Sequence, residues 1–169
     1  MSSIRPARFD DCAAINAIYN QYVWTSPCTF DLEEVADSTR EAWFRARERE
    51  ALPVLVTEFD GRVAGWAALS PWSPRGAYRT TVEESIYLAP EMRGQGLGRS
   101  LLSALLNEAR ASGKHVVMAG VVACQEQSLA LHRKLGFEDS ALHRHMGFKL
   151  GEWHDVAYLQ YHLWRGQDR

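Results

Sequence analysis

The chain has 169 residues, the size of one ordinary domain, and its 46% hydrophobic against 24% charged residues leave ample material for a packed core. A formal net charge of -2, with no run of Lys or Arg, excludes a surface built to neutralise nucleic-acid phosphates, although a local basic pocket stays open. Cys12, Cys28 and Cys124 are too few and too far apart for a disulfide framework or a zinc knuckle, and no stretch has the apolar length of a signal core or a membrane span, so a cytoplasmic protein with no membrane or nucleic-acid partner is expected.

In chain order, Ser3–Ala7 reads as a short strand ending near Pro6. Asp10 or Asp11 can then cap a helix in which Ala14, Ile15, Ile18, Tyr19 and Tyr22 recur at helical spacing. Thr25–Phe30 is a loop. Asp37–Glu50 is a second helix with Asp37 as its cap and Trp43 and Phe44 on its apolar side. Pro53–Ser70 holds two β-rich runs around Asp60-Gly61, a strong hairpin signal. Pro71–Tyr78 breaks the pattern as a loop, and Thr80–Pro90 is a longer strand.

A glycine-rich segment follows, "RGQGLG", and then a helix that turns Leu101, Leu102, Leu105, Leu106 and Ala109 inward and closes near Gly113. His115–Val122 reads as a fully buried strand, Gln125–Leu135 as a short helix stopped by Gly136, and Phe137–Met146 and Val156–Leu163 as two last strands. The order β-α-α-β-β-β-α-β-α-β-β gives a single domain, residues 1–169, of α/β class with a mixed sheet (α+β in character).

The glycine loop stands between a strand and a helix, where backbone N–H groups attract phosphate. A Walker A loop would need a Lys at the helix start, and none is there. A dinucleotide fingerprint needs another glycine spacing and an acidic residue on the next strand. A simple tight turn is the remaining alternative on the residues alone.

With Arg93, Gly96 and Gly98 in place, "RGQGLG" resembles the R/Q-x-x-G-x-G/A acyl-CoA loop of the GCN5-related N-acetyltransferase (GNAT) superfamily, and "LHRKLGF" (Leu131–Phe137) resembles that family's L-Y-x-x-x-G-F signature. Within it, "IRPA", "TVEESIYL", "GKHVVMAGV" and "GEWHDV" are similar to the phosphinothricin and methionine sulfoximine acetyltransferases nearly end to end. The resemblance implies the GNAT acyl-CoA N-acyltransferase fold, a central mixed sheet flanked by helices. It implies acetyl-CoA as cosubstrate, a small-molecule amine as acceptor and a homodimer joined through the C-terminal strands. One departure is Gln125-x-x-Ser128, where the family has Asn-x-x-Ser; another is His132 at the family's Tyr position, as in the phosphinothricin subgroup.

Acetyl transfer to an amine requires loss of the amine's proton, stabilisation of the carbonyl oxygen and departure of a thiolate. The resemblance points to Glu83 as base, or as a group that only orients the ammonium, and to the Leu88 backbone N–H as oxyanion donor. Ile86, Tyr87 and Leu88 then run beside the pantetheine arm. Arg93, Gly94, Gln95, Gly96, Leu97, Gly98 and Arg99 hold the pyrophosphate, with Gln125 and Ser128 as further cofactor contacts. Strand alternation turns Glu84 away from Glu83. His132 shares a helix face with Gln125 and Ser128 and is the candidate acid for the thiolate, against a packed core histidine as the plainer reading.

For a substrate carboxylate the candidates are Arg75 and Arg79, with Phe30, Trp72 and Tyr78 as pocket walls. "HRH" puts His143 and His145 on one strand face, but without a third ligand no metal is expected. His154-Asp155 reads as structural. Acetylation of a protein N-terminus or a polyamine, and a non-catalytic acyl-CoA sensor, remain the alternatives.

Overall fold

A computed structural model describes residues 2–164; Met1 and residues 165–169 of the expected single domain lie outside the described residues. Its elements are β1 (Ser2–Pro6), α1 (Cys12–Val23), α2 (Asp37–Arg49), β2 (Val54–Phe59), β3 (Arg62–Pro71), β4 (Thr81–Leu88), α3 (Leu97–Ala111), β5 (Val116–Val122), α4 (Glu126–Leu135), β6 (Glu138–Lys149) and β7 (Glu152–His162). This is the order expected from the sequence. Among the described residues the strands form one seven-stranded sheet, β1-β2-β3-β4-β5-β7-β6, in which only β4 and β5 run parallel.

β2 and β3 are apolar through most of their length because both faces are covered there. Val54, Val56, Trp66 and Ala68 pack toward α1 and α2 with Ile15, Ile18, Tyr22 and Phe44. Their neighbours Leu55, Ala67 and Leu69 face the other way, toward Leu101, Leu102, Leu105, Leu106 and Ala109 of α3. Period two in the strands and the i, i+3, i+4 leucines of α3 thus divide the core into two layers. Each fully buried leucine contributes about 1.5–3 kcal/mol of transfer free energy.

Several local expectations need correction. Asp37 is the first residue of α2 and Ala36 its cap; the Asp37 carboxylate instead accepts the Asn16 amide N–H (2.7 Å), tying α2 to α1. Asp11, the last residue of a short 3-10 turn, is the N-cap of α1 as expected, but its side chain makes no cap bond to α1: the carboxylate accepts the Arg8 backbone N–H (2.7 Å) and two N–H bonds from Arg5 (2.7 and 2.9 Å). Those Arg5 hydrogen bonds hold its carboxyl below the ordinary aspartate range, against the opposing effect of burial.

β5 is not buried throughout: Val117 and Ala119 on the α3 side are fully covered, whereas on the other face Val116 and Met118 are half-buried and Gly120 is exposed. β6 and β7 are longer than expected and meet in a two-residue turn, Leu150-Gly151, with φ of +54° and +83°. Leucine at such a position carries no turn signal. His145 lies at a bulge with φ +52°, so alternation fails: His143 packs edge-on against Tyr158 while His145 lies by Trp153. The two imidazoles therefore do not share a face. His154 is buried and donates from Nε2 to the Lys149 carbonyl (2.9 Å), and Asp155 accepts the His145 N–H (2.8 Å), a structural use of both.

Gly65 fixes how closely β3 and β4 approach. A Cβ there would stand 2.4 Å from Leu88 Cδ2 and 2.8 Å from the Tyr87 carbonyl oxygen. Gly65→Ala is expected to destabilise by about 1–3 kcal/mol through overpacking, lowering the melting temperature by roughly 2–12 °C; a calorimetric melt within 1 °C of the wild type would contradict that close approach.

Candidate active site

The parallel ladder of β4 and β5 ends at Glu83↔Met118, although both strands continue. Beyond that point they border a cleft of about 410 Å³. Glu83 to Leu88 line one side, Gly120 to Val122 another, and the glycine loop and α4 close it through Arg93, Gly94, Gly96, Gln125, Ser128 and His132. Antiparallel strands on either side cannot open in this way, because each stays paired along its length.

The free edge of β4 carries its donors into this gap. The Ala89 N–H bonds to the Ala64 carbonyl of β3 (2.9 Å), so alternation turns the Leu88 and Ile86 N–H groups toward the cleft. The Leu88 carbonyl is already taken by the Tyr22 hydroxyl.

At the far end, Gly96 has φ +80° and caps α3, after Gly94 at φ +76°, and a Cβ on either would meet nothing within 4 Å. The next three N–H groups, of Leu97, Gly98 and Arg99, are those a helix leaves without an internal partner. Gly98 has an ordinary φ and a packing role, its Cα facing Leu131 and Leu88. Arg93 lies over the Tyr22 ring at 4.7 Å and lines the same cleft. Three free donors, helix polarity, a cation and bare backbone form a site for a pyrophosphate, and the unpaired strand edge fits an amide-bearing arm, so the residues present fit acetyl-CoA.

Glu83 stands where the strands divide. Gly120 leaves room for it: a Cβ there would lie 3.4 Å from Glu83 Oε1 and 3.2 Å from the Tyr158 ring. Trp72 and His143 flank Tyr158 edge-on. Burial, and then the charge of Glu84, raise the Glu83 carboxyl above its ordinary value, toward that of a useful base.

His132 is 1% exposed. Its Nδ1 bonds to the Ser128 carbonyl (2.7 Å) and its Nε2 to Glu84 Oε1 (3.0 Å). Burial pulls the imidazole down, but the hydrogen bond and charge of Glu84 and the Ser128 carbonyl together outweigh it, and the net shift is upward. Cys28 also lines the cleft, and burial raises its thiol, which keeps it protonated rather than nucleophilic.

Most of the expected cofactor residues therefore converge. Gln95 does not line the cleft, and its side chain bonds to the Glu91 carbonyl (3.3 Å); Leu97 is buried in the core. Arg75, Tyr78 and Arg79 are exposed on the segment before β4, away from the cleft lining, and Phe30 covers Gly147 of β6. Sequence reasoning missed Tyr22, Glu84 and Gly120 as cleft residues and Tyr158 as the neighbour of Glu83. A glycine inside an apolar strand was the one available signal among them. Among the described residues no group of three or more His, Cys, Asp or Glu could hold a metal, and no helix is long and apolar enough to cross a membrane.

The family model described as "Acetyltransferase (GNAT) family" matches residues 15–137, from α1 through α4 and hence the whole cleft. An L-amino acid N-acyltransferase of Escherichia coli is 44% identical over 161 residues, 95% of this chain and 94% of that protein. The L-methionine sulfoximine/L-methionine sulfone acetyltransferase of Salmonella typhimurium is 42% identical, with the same coverage. A phosphinothricin acetyltransferase of Sinorhizobium meliloti, solved in complex with acetyl-CoA, superposes with a TM-score of 0.94 at 36% identity, covering 98% of this chain and 90% of that one. Sequence, fold and cleft agree, and the chain belongs to the acetyltransferase (GNAT) family.

Proposed function

We propose that the protein acetylates the α-amino group of a small amino-acid analogue of the methionine sulfoximine, methionine sulfone or phosphinothricin type. The observation that carries this reading is Glu83, a carboxyl with a raised affinity for protons at the point where the cleft opens between β4 and β5. The names of the relatives support the amine class.

When bound, acetyl-CoA supplies an activated acetyl thioester. Glu83 takes the proton of the incoming ammonium, directly or through one water, and the free amine attacks the thioester carbonyl. The Leu88 N–H, fixed on the free edge of β4, meets the oxygen on which charge develops. The α3 N-terminus, Arg93 and Arg99 hold the phosphates, and Gln125 and Ser128 border the arm. The thiolate leaves at the His132 end of the cleft, where its proton is supplied. Trp72 and Tyr158 wall the side of Glu83, and Arg75 and Arg79, on the segment leading into β4, remain our candidates for the substrate carboxylate.

Release of CoA thiol should saturate with methionine sulfone, methionine sulfoximine and phosphinothricin and stay near background with spermidine. Spermidine turnover exceeding all three would overturn the substrate class.

The reading includes a homodimer formed through the tip of the β6–β7 hairpin, where Met146, Phe148, Leu150 and Trp153 are 50–59% exposed side by side in sequence. Clustered apolar side chains of this kind mark interaction surfaces. Trp153→Asp is expected to shift the chain from dimer to monomer in sedimentation velocity; an unchanged dimer would place the contact elsewhere. Three free cysteines support a reducing, cytoplasmic setting.

A further inference from the structure

Glu84 is a cleft residue to which the reaction above gives no part, and its surroundings differ from those of a structural carboxylate. The Ser128 carbonyl can only accept, so the Nδ1 atom of His132 carries a hydrogen and spends it there (2.7 Å). Nε2 is then the one ring nitrogen left to exchange a proton, and it faces Glu84 Oε1 at 3.0 Å. At that distance a neutral imidazole and a carboxylate would set lone pair against lone pair. A proton therefore lies between them, on one partner or the other. Both side chains are buried, His132 at 1% and Glu84 at 6% exposure, so neither releases that proton to bulk water at little cost. The second oxygen, Glu84 Oε2, is buried without a hydrogen-bond partner among the described residues. A carboxylate used only to brace a core would have both oxygens satisfied. Both residues line the cleft that also holds the glycine loop and Glu83.

We infer that Glu84 and His132 act as one proton-holding unit, and that this pair, not His132 alone, supplies the proton to the departing thiolate. The inference rests on the acetyl-transfer reading of the same cleft. In the reactive form the proton is on His132 Nε2, beside the Glu84 carboxylate that faces it at 3.0 Å. The N–H bond breaks as the S–H bond forms, its electron pair stays on Nε2, and one further proton, equal to that taken from the ammonium, restores the pair. Glu83 thus serves as base toward β5 and Tyr158, while Glu84, the next residue on the strand, holds the acid in place toward α4.

The test combines two readouts on the intact protein. The first is the pH titration of the His132 ring C–H resonance in the free protein, in the wild type and in Glu84→Gln. The second is the pH dependence of kcat for both, with acetyl-CoA and methionine sulfone saturating. The wild-type pair should titrate above the ordinary imidazole value of ~6.5, and kcat should fall as pH rises through that midpoint, where the acid is lost. In Glu84→Gln the midpoint and the alkaline limb should move down together, and kcat at neutral pH should fall about 10- to 100-fold, with the KM for acetyl-CoA changed less than threefold. A midpoint that moves while the limb stays would overturn the pair as the acid, as would a limb and kcat both unchanged. If Glu84→Gln does not fold, His132→Asn carries the test: its alkaline limb should vanish, and an unaltered profile overturns the inference. A wild type that turns over no amine overturns the acetyl-transfer reading as well, and is thereby distinguished from turnover with an unmoved limb.

Discussion

Glu83→Gln is expected to lower kcat by roughly 10²–10³-fold, within the range for loss of a positioned general base, while the KM for acetyl-CoA changes less than threefold. The amide keeps the size of the carboxyl, so it fits the space that Gly120 leaves, and the cofactor loop, at the other end of the cleft, is untouched. The pH dependence should change as well. Burial and the Glu84 charge raise the Glu83 pKa, so the wild-type rate should fall as pH drops through that raised value, where the carboxylate becomes protonated. The variant has no such group, and its acid limb should flatten. Stopped-time assays of CoA thiol release from pH 5 to 9 measure both effects. A variant with near wild-type kcat and the same acid limb would remove Glu83 from the chemistry.

The second large effect is expected at the other end of the cleft. Gly96→Val places a β-branched side chain at φ +80°, a conformation that costs such a residue about 1–3 kcal/mol. The free loop is expected to relax and carry the N–H groups of Leu97, Gly98 and Arg99 away from their common focus. Restoring that focus on binding then costs the strain, which weakens acetyl-CoA binding by about 5- to 150-fold, the same free energy expressed as affinity. Calorimetric titration with acetyl-CoA checks this, with a melt to show that the fold persists, since nothing lies within 4 Å of the added Cβ. Unchanged affinity in a folded variant would mean that the loop backbone does not hold the phosphates.

The parts of this molecule legible from sequence are those decided by local chemistry. Asp60-Gly61 is a turn with φ of +48° and +77°, as the dipeptide demands, and the leucines of α3 are buried as their spacing requires. The glycine loop could be read as an anion site because strand, glycines and helix are contiguous in the chain. The cleft itself was not legible. It exists because a parallel pair ends three residues into the ladder, and no residue between Thr81 and Leu88 signals where pairing stops.

Glu84 shows the same limit. Alternation correctly separates it from Glu83, yet the partner that gives it a role stands 48 residues away on α4. Asp37 was misplaced as a cap because its contest with Asn16, a residue of α1, is tertiary. Arg75 and Arg79, near Glu83 in sequence, flank an exposed turn at Gly76–Tyr78 and stand outside the cleft lining. The C-terminal hairpin was read short because Leu150 at a positive φ and the bulge at His145 obey the register of β6 on β7 rather than local preference.

The central proposal is that this cleft transfers acetyl from acetyl-CoA to the α-amine of a small amino-acid analogue. The most direct measurement is the initial rate of CoA thiol release with methionine sulfone as acceptor, with mass spectrometry of the product. Saturable turnover is expected, with one N-acetyl group per CoA released and its position on the α-nitrogen. Tight acetyl-CoA binding with no amine-dependent release of thiol would contradict it, and would leave a cofactor-binding protein in place of an enzyme.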